Sequence, residues 1–142
     1  MDISQTCSDA VVAAAAAEAR AIGVPMNVAV LDAGANLKAF LRMDGALLGS
    51  LDIALKKART AALFGMNTEA VGEFCKPGGT SPGLDTTNGG LVVFAGGIPL
   101  RAPDGRLMGA VGVSGGSVAQ DFQVASAAAV AAHAVRKAEE AP

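Results

Sequence analysis

The chain has 142 residues, and its eleven basic and thirteen acidic side chains give a net charge of −2 at pH 7. This length predicts one domain, residues 1–142, with a core of useful size, and the charge balance excludes the basic surface that nucleic-acid binding requires. Although 51% of the residues are hydrophobic, there is no Trp or Tyr and there are only five Phe, so the core must be built from small aliphatic side chains.

The composition also argues against a membrane or secreted protein. The longest purely apolar run, residues 10–17, is far shorter than the roughly 18 residues that a membrane span needs. The N-terminus lacks the basic region of a signal peptide, and Cys7 and Cys75 are too few for a disulfide framework or a metal knuckle. We therefore expect a reduced, cytoplasmic protein without a metal site.

The first half of the chain predicts two helices around a hairpin, and then a third helix. Residues 3–22 are mostly strong helix formers. Residues 26–32 and 37–43 are apolar runs joined by a turn-rich tetrapeptide, which predicts a β-hairpin. A second helix is expected over residues 49–65, and a brief one follows with Thr68 as its cap.

The second half predicts a long loop, three short strands and a final helix. Residues 76–90 are rich in Pro, Gly, Ser, Thr and Asn, and a loop of this length is usually functional or disordered. Strands are expected at residues 91–94, 99–101 and 107–113, the second at a sheet edge because of Pro99 and the third in a central position, and a helix from 117 to about 139. Hairpins between helices predict an α+β fold, here an antiparallel five-stranded sheet flanked by helices.

The alanine-rich first and last helices are apolar on nearly every side. A helix of this kind is normally covered on all sides rather than half exposed to water. In so small a chain the missing cover is most simply a second subunit, so we expect a homo-oligomer with helices at its interface.

The glycine turn between the last strand and the last helix is the leading candidate for a site. Ser117 and Gln120 have the spacing of a capping box, which marks a helix start. Gly115 and Gly116 allow a ligand to approach the backbone, and free N–H groups with the helix dipole favour an anion. We therefore predict that a negatively charged group binds at this turn, next to Ser114.

Two other interpretations of the turn fail on geometry and motif. Residues 112–116 match G-x-S-x-G, and Asp121 and His133 follow in the order of a hydrolase triad. Twelve residues of helix separate Asp121 from His133 by roughly 18 Å, so the carboxylate cannot orient the imidazole. Nucleotide binding has no support either, because the glycines do not form G-x-G-x-x-G and no P-loop lysine follows.

Several further polar residues have both a plain and a functional interpretation. By default Lys57 belongs to a solvated face of the second helix, but Lys57 and Thr60 lie three residues apart on one side and could both face a pocket. His133, the only histidine, is expected to be a packed or interface residue, the alternative being a base. Arg42 and Met43 end a strand, where they either brace the next helix or border a cavity.

Five stretches together resemble the GlcG/HbpS-like family of haem-degrading domains, which includes the C-terminal part of PduO-type proteins. They are AVLDAGANL at residues 29–37, RMDGA at 42–46, KARTA at 57–61, GGIPL at 96–100, and GAVGVSGGS with QD at 109–121. The resemblance implies a profilin-like or PAS-like single domain that forms oligomers and binds a small molecule, haem having been assigned to some members. Where the family often has a second acidic residue after Asp121, this chain has Phe122, which favours an apolar contact.

Two functional hypotheses follow, and a third is an assembly module without a ligand. In the first, a cytoplasmic oligomer binds a small organic anion, haem being one candidate, with Met43 among the axial ligands to consider. In the second, a cofactor-independent enzyme acts on a small carbonyl or hydroxy-acid metabolite, with Lys57, Asp121 or His133 moving a proton while the turn holds an oxyanion. The expected ligand-binding residues are Arg42, Met43, Thr60, Thr87, Asn88, Ser114, Gly115, Gly116 and Ser117.

Overall fold

The computed structural model describes residues 2–142 as an α+β domain, within which we find four α-helices and four β-strands. In chain order these are α1 (Gln5–Ala21), β1 (Asn27–Asp32), β2 (Leu37–Arg42), α2 (Ser50–Phe64), α3 (Thr68–Cys75), β3 (Gly97–Arg101), β4 (Leu107–Ser114) and α4 (Val118–Glu139). A short 3-10 helix, Leu84–Thr86, lies inside the long loop between α3 and β3. In this part of the chain no helix is both long and apolar enough to cross a membrane.

The four strands form one antiparallel sheet in the order β2-β1-β4-β3. The inner strands β1 and β4 pair along the whole of β1, so that Val28 lies opposite Val113 and Ala29 opposite Gly112. β3 is an edge strand, as Pro99 predicted, because a proline has no N–H to donate to a neighbouring strand.

The sheet is covered by helices on both faces. Because successive side chains of a strand point to opposite faces, Val28 and Val113 enter the core formed with α1 and α4. The alternate residues Ala29 and Leu31 pack against Ala58 of α2 instead. The result is a three-layer arrangement in which α2 alone occupies the second face of the inner strands.

The layer formed by α2 lies unusually close to the sheet because glycine occupies the contact point. A Cβ at Gly112 would lie 2.0 Å from the carbonyl oxygen of Ala54 and 2.5 Å from the backbone nitrogen of Ala58. Only a residue without a side chain fits there. This close approach brings the α2 side chain at position 57 against the end of β4.

The prediction of a fifth strand at residues 91–94 is wrong. The backbone there is irregular, because its donors are used elsewhere: Leu91 N–H donates to the carbonyl of Asp85, and Val92 N–H donates to the Thr60 hydroxyl. Thr68 is also not the cap of α3, since Asn67 holds that position. The hairpin, the long helices and the inner position of β4 are as predicted.

Candidate functional site

A fully buried ion pair joins three elements at the carboxyl end of β4. The Lys57 ammonium on α2 lies 2.8 Å from Oδ2 of Asp121, in the first turn of α4. It also donates to the carbonyl oxygen of Val113 on β4 at 2.9 Å. The side chain of Lys57 is completely buried, and only 4% of that of Asp121 is exposed. Two sequence-predicted proton-transfer residues are thus in direct contact.

An aromatic ring completes the surroundings of the ammonium. Lys57 Nζ lies over the Phe94 ring, 4.9 Å from its centroid, a distance at which the ring quadrupole attracts a cation. Burial lowers the pKa of Lys57 below its ordinary value of 10.5, and this outweighs the hydrogen bond and charge of Asp121, which act in the opposite direction. The amine is therefore easier to deprotonate than a surface lysine.

The glycine turn does not offer free amides, contrary to our prediction. Asp121 Oδ1 accepts from the N–H groups of Gly115 at 3.2 Å and Gly116 at 2.9 Å. The N–H of Ser117 donates to Oε1 of Gln120 within the predicted capping box. Side chains from the start of α4 thus accept the N–H groups of the glycine turn. This removes the anion site that we expected at these three residues.

The remaining predicted residues are dispersed. Thr60 is buried and holds the irregular segment at Val92, and Ser114 is buried at the end of β4. Thr87 and Asn88 are exposed in the long loop. They do not join the ion pair.

His133 is exposed on α4. Because α4 is one continuous helix, the twelve residues between Asp121 and His133 span roughly 18 Å. His133 is therefore not part of the same site as Lys57 and Asp121. The proton-transfer role that the sequence allowed for His133, as an alternative to Lys57 or Asp121, stays a prediction.

A groove lies between α3 and the start of α4, and Phe94, whose ring contacts Lys57, is one of its lining residues. We call it the α3–α4 groove. It consists of two adjoining cavities of about 390 and 490 Å³, which share Glu69, Ala95 and Val118. Phe94 lines the first and Phe122 the second. The first also carries charges, three of them acidic and one basic: Glu69, Glu73, Asp85 and Lys76.

A second groove, the α1–β2 groove, runs between α1 and the edge strand β2. Its two cavities of about 350 and 360 Å³ share Arg20 and Leu41. Arg42, Met43 and Asp44 line one end, and the other is lined mainly by apolar residues of α1, with Asp9 at its rim. Arg42 is two strands from the glycine turn, since it pairs with Asn27 and Asn27 pairs with Ser114.

Comparison with known proteins identifies the family. Residues 3–130 match the family described as haem degrading protein HbpS-like. The chain belongs to the HbpS-like family. This confirms the resemblance on which the fold and oligomer expectations partly rested.

The relatives of this HbpS-like chain include proteins of similar length. It is 42% identical over 118 residues to a 15.0 kDa protein from the dhaT-dhaS intergenic region of Citrobacter freundii, covering 81% of this chain and 82% of that protein. It is 40% identical over 112 residues to protein GlcG of Escherichia coli K12, covering 79% of this chain and 81% of GlcG. The crystal structure of a PduOC:Heme complex superposes with a TM-score of 0.87 at 36% identity, covering 92% of this chain and 95% of the other.

Two contributors to these grooves were missed by reasoning from sequence. Phe94 is one of only five Phe in the chain, and it follows the long loop, where it was assigned to a strand. Arg20 interrupts an alanine-rich helix that was interpreted only as core. In both cases the signal was an isolated large or charged side chain in a run of small ones, but the groove beside it is formed by a distant element.

Proposed function

We propose that this HbpS-like protein binds an apolar organic molecule carrying a carboxylate, with haem as the candidate that the related complex suggests, in the α1–β2 groove. The observation that carries the proposal is the pair of guanidinium groups, Arg20 and Arg42, at one end of an apolar groove. Arginine is the side chain best matched to carboxylates, because its planar donors bind both oxygens.

The charges of the two grooves differ in a way that supports this choice. Neither Arg20 nor Arg42 takes part in an ion pair among residues 2–142, although Asp9 and Asp44 also line this groove. The α3–α4 groove instead has three acidic residues and one lysine. A carboxylate is therefore repelled from the α3–α4 groove and attracted to the guanidinium groups.

The side chains fit the carboxylates and faces of a porphyrin better than they fit its iron. Haem iron is held by His, Cys, Met or Tyr, and Met43 is the member of that set among the residues lining this groove. Its sulfur already accepts the N–H of Met26 at 3.4 Å, so the donor set does not fit strong axial coordination. The proposal therefore concerns binding through the guanidinium groups, without chemistry at the iron.

We predict that Arg20→Gln and Arg42→Gln each weaken haem binding by about tenfold, because each removes a charge-assisted hydrogen bond. Affinity is measured by titrating haem and following its absorbance. Lys56→Gln is the matched control, since it removes the same charge from α2, on the other face of the sheet. Equal affinities in all four proteins would contradict the proposed location.

A second candidate function is proton transfer at a carbonyl metabolite, with the Lys57–Asp121 pair as acid and base. The observation that favours it is the direct contact between two buried ionisable groups, an arrangement found disproportionately at active sites. In D₂O, the metal-free protein should exchange the α-protons of a short neutral ketone or aldehyde, and Lys57→Met should abolish the exchange. Lys56→Met should leave the exchange rate unchanged; equal rates in both variants would exclude this function.

We also propose that the protein is a cytoplasmic homo-oligomer. Large apolar side chains protrude before α2 and on α4: Leu47 is 64% exposed, Leu48 80% and Val130 71%. Contact with a second copy would remove such side chains from water. Light scattering should give a mass of at least two chains, and Leu48→Ser with Val130→Glu should reduce it. A monomer at micromolar concentration would contradict the proposal.

A further inference from the structure

Lys57 is the one lysine that the structure, over residues 2–142, places entirely out of solvent. Removing an ammonium group from water costs several kcal/mol, and an apolar side chain of similar size often fills such a position at no loss of stability. The pair with Asp121 therefore needs an explanation beyond packing. Desolvation is one way in which lysine is activated as a nucleophile, and the adjacent carboxylate is placed to take the proton as a general base.

The contacts of the nitrogen leave one direction open toward the α3–α4 groove. Two of its three N–H groups are used by Val113 and Asp121. The remaining side faces the ring of Phe94, and Phe94 is 43% exposed and lines the groove. Phe94 is therefore a residue that both contacts the amine and lines the groove.

We propose that Lys57 forms an imine with a neutral aldehyde or ketone that enters through the α3–α4 groove, with Phe94 as the movable cover. This proposal deepens the second candidate function, on which it rests. Asp121 takes a proton from the ammonium, and the freed lone pair forms a bond to the carbonyl carbon as the C=O π bond breaks. The carbonyl oxygen then takes one of the two protons left on the nitrogen and becomes a hydroxyl. The resulting carbinolamine loses its hydroxyl as water, using the proton returned by Asp121. The products are water and a protonated imine whose positive charge again faces the Asp121 carboxylate.

The charges and surface of the groove indicate the class of carbonyl compound. Glu69, Glu73 and Asp85 outnumber the single Lys76, so a keto acid is repelled. Val118 and Phe122 provide an apolar wall, which suits a short alkyl or aryl group. A neutral aldehyde with a hydrocarbon chain meets both conditions.

The lowered pKa of Lys57 supports the same assignment. Burial destabilises its ammonium, so at neutral pH a larger fraction of this amine is unprotonated than of the exposed lysines. Each pKa unit by which the value is lowered raises that fraction about tenfold. Reaction at Lys57 should therefore extend to lower pH than reaction at its neighbour Lys56.

The test is reductive trapping with butanal and cyanoborohydride at pH 7, followed by mass-spectrometric mapping of peptides from a glutamate-specific digest. We expect alkylation of Lys57 to be faster than that of Lys56, the exposed neighbour on the same helix. Phe94→Ala should accelerate the reaction at Lys57 and leave that at Lys56 unchanged. Alkylation confined to exposed lysines, in both the wild type and Phe94→Ala, would overturn the proposal.

Trapping and α-proton exchange together separate this proposal from the function on which it rests. Exchange that needs Lys57 but is not accompanied by trapping at that residue refutes the imine and leaves proton transfer in place. Trapping at Lys57 without exchange supports the imine and refutes proton transfer. If neither occurs, both fail, and Lys57 has a structural role only.

Discussion

Replacing Asp121 by alanine is expected to lower the free energy of unfolding by about 3–5 kcal/mol, the usual cost of removing one partner of a buried ion pair. The change leaves the buried Lys57 without a counter-charge and the amides of Gly115 and Gly116 without an acceptor. Unfolding in urea, followed by circular dichroism, measures the difference.

Asp52→Ala is the matched control for this prediction. Asp52 also lies in the first turn of a helix and pairs with a lysine, but the side chains of Asp52 and Lys56 are 67% and 41% exposed. Removing the Asp52 carboxylate should lower the free energy of unfolding by no more than about 1 kcal/mol. Adding Lys57→Met to Asp121→Ala should restore part of the stability, because it removes the unpaired charge. Similar losses for the two aspartates would show that the buried pair contributes no more than a surface pair.

The same pair gives the stability a pH dependence of known sign. Because the pKa of Lys57 is lowered in the folded state, the unfolded chain binds more protons at this group than the folded chain between that lowered pKa and 10.5. The contribution of Lys57 to stability therefore increases as pH rises through this window. Lys57→Met should flatten the alkaline part of the wild-type stability profile, and an unchanged slope would contradict the lowered pKa.

Replacing Gly112 by alanine is expected to cost about 3 kcal/mol or more, at the upper end of the range for overpacking. The new Cβ would collide with the backbone of α2 at Ala54 and Ala58, and backbone atoms within a helix cannot move aside as a flexible side chain can. Because α2 carries Lys57, the variant should also slow the reductive trapping at that residue. Urea unfolding of Gly112→Ala, beside the wild type, measures the cost.

Gly49→Ala provides the comparison for this second prediction. Gly49 has helical dihedral angles, and a Cβ added there would meet nothing within 4 Å, so its substitution should change stability by no more than about 1 kcal/mol. If Gly112→Ala is equally mild, the sheet and α2 can separate without loss of stability. The close approach would then not limit which residues fit at this contact.

Much of the fold could be predicted because its signals are local. The capping box at Ser117 and Gln120 and the edge position of Pro99 depend on a few neighbouring residues, and both are present as predicted. The strand expected at residues 91–94 failed for the opposite reason. Its apolar pattern is that of a strand, but Val92 N–H donates to the hydroxyl of Thr60, 32 positions away in the sequence.

The same distinction holds for the candidate site, where single residues could be predicted but their contacts could not. Lys57 and Asp121 were each named from the sequence, yet they are 64 positions apart, and no local pattern predicts that they form one pair. The turn at Gly115 and Gly116 was located correctly, but its amides are already used. Whether a backbone donor is free depends on which side chain folds back over it.

Composition, spacing and short motifs are enough to predict the order of most elements, the start of α4, the α+β class and membership of the HbpS-like family. Which charges meet and which grooves remain open depends instead on how distant segments pack. Packing brings α2 against β4 at Gly112, and that contact buries Lys57 beside Asp121 while leaving Arg20 and Arg42 at the edge of the sheet. Burial and pairing are properties of distant segments in contact, and they set the chemistry of each group.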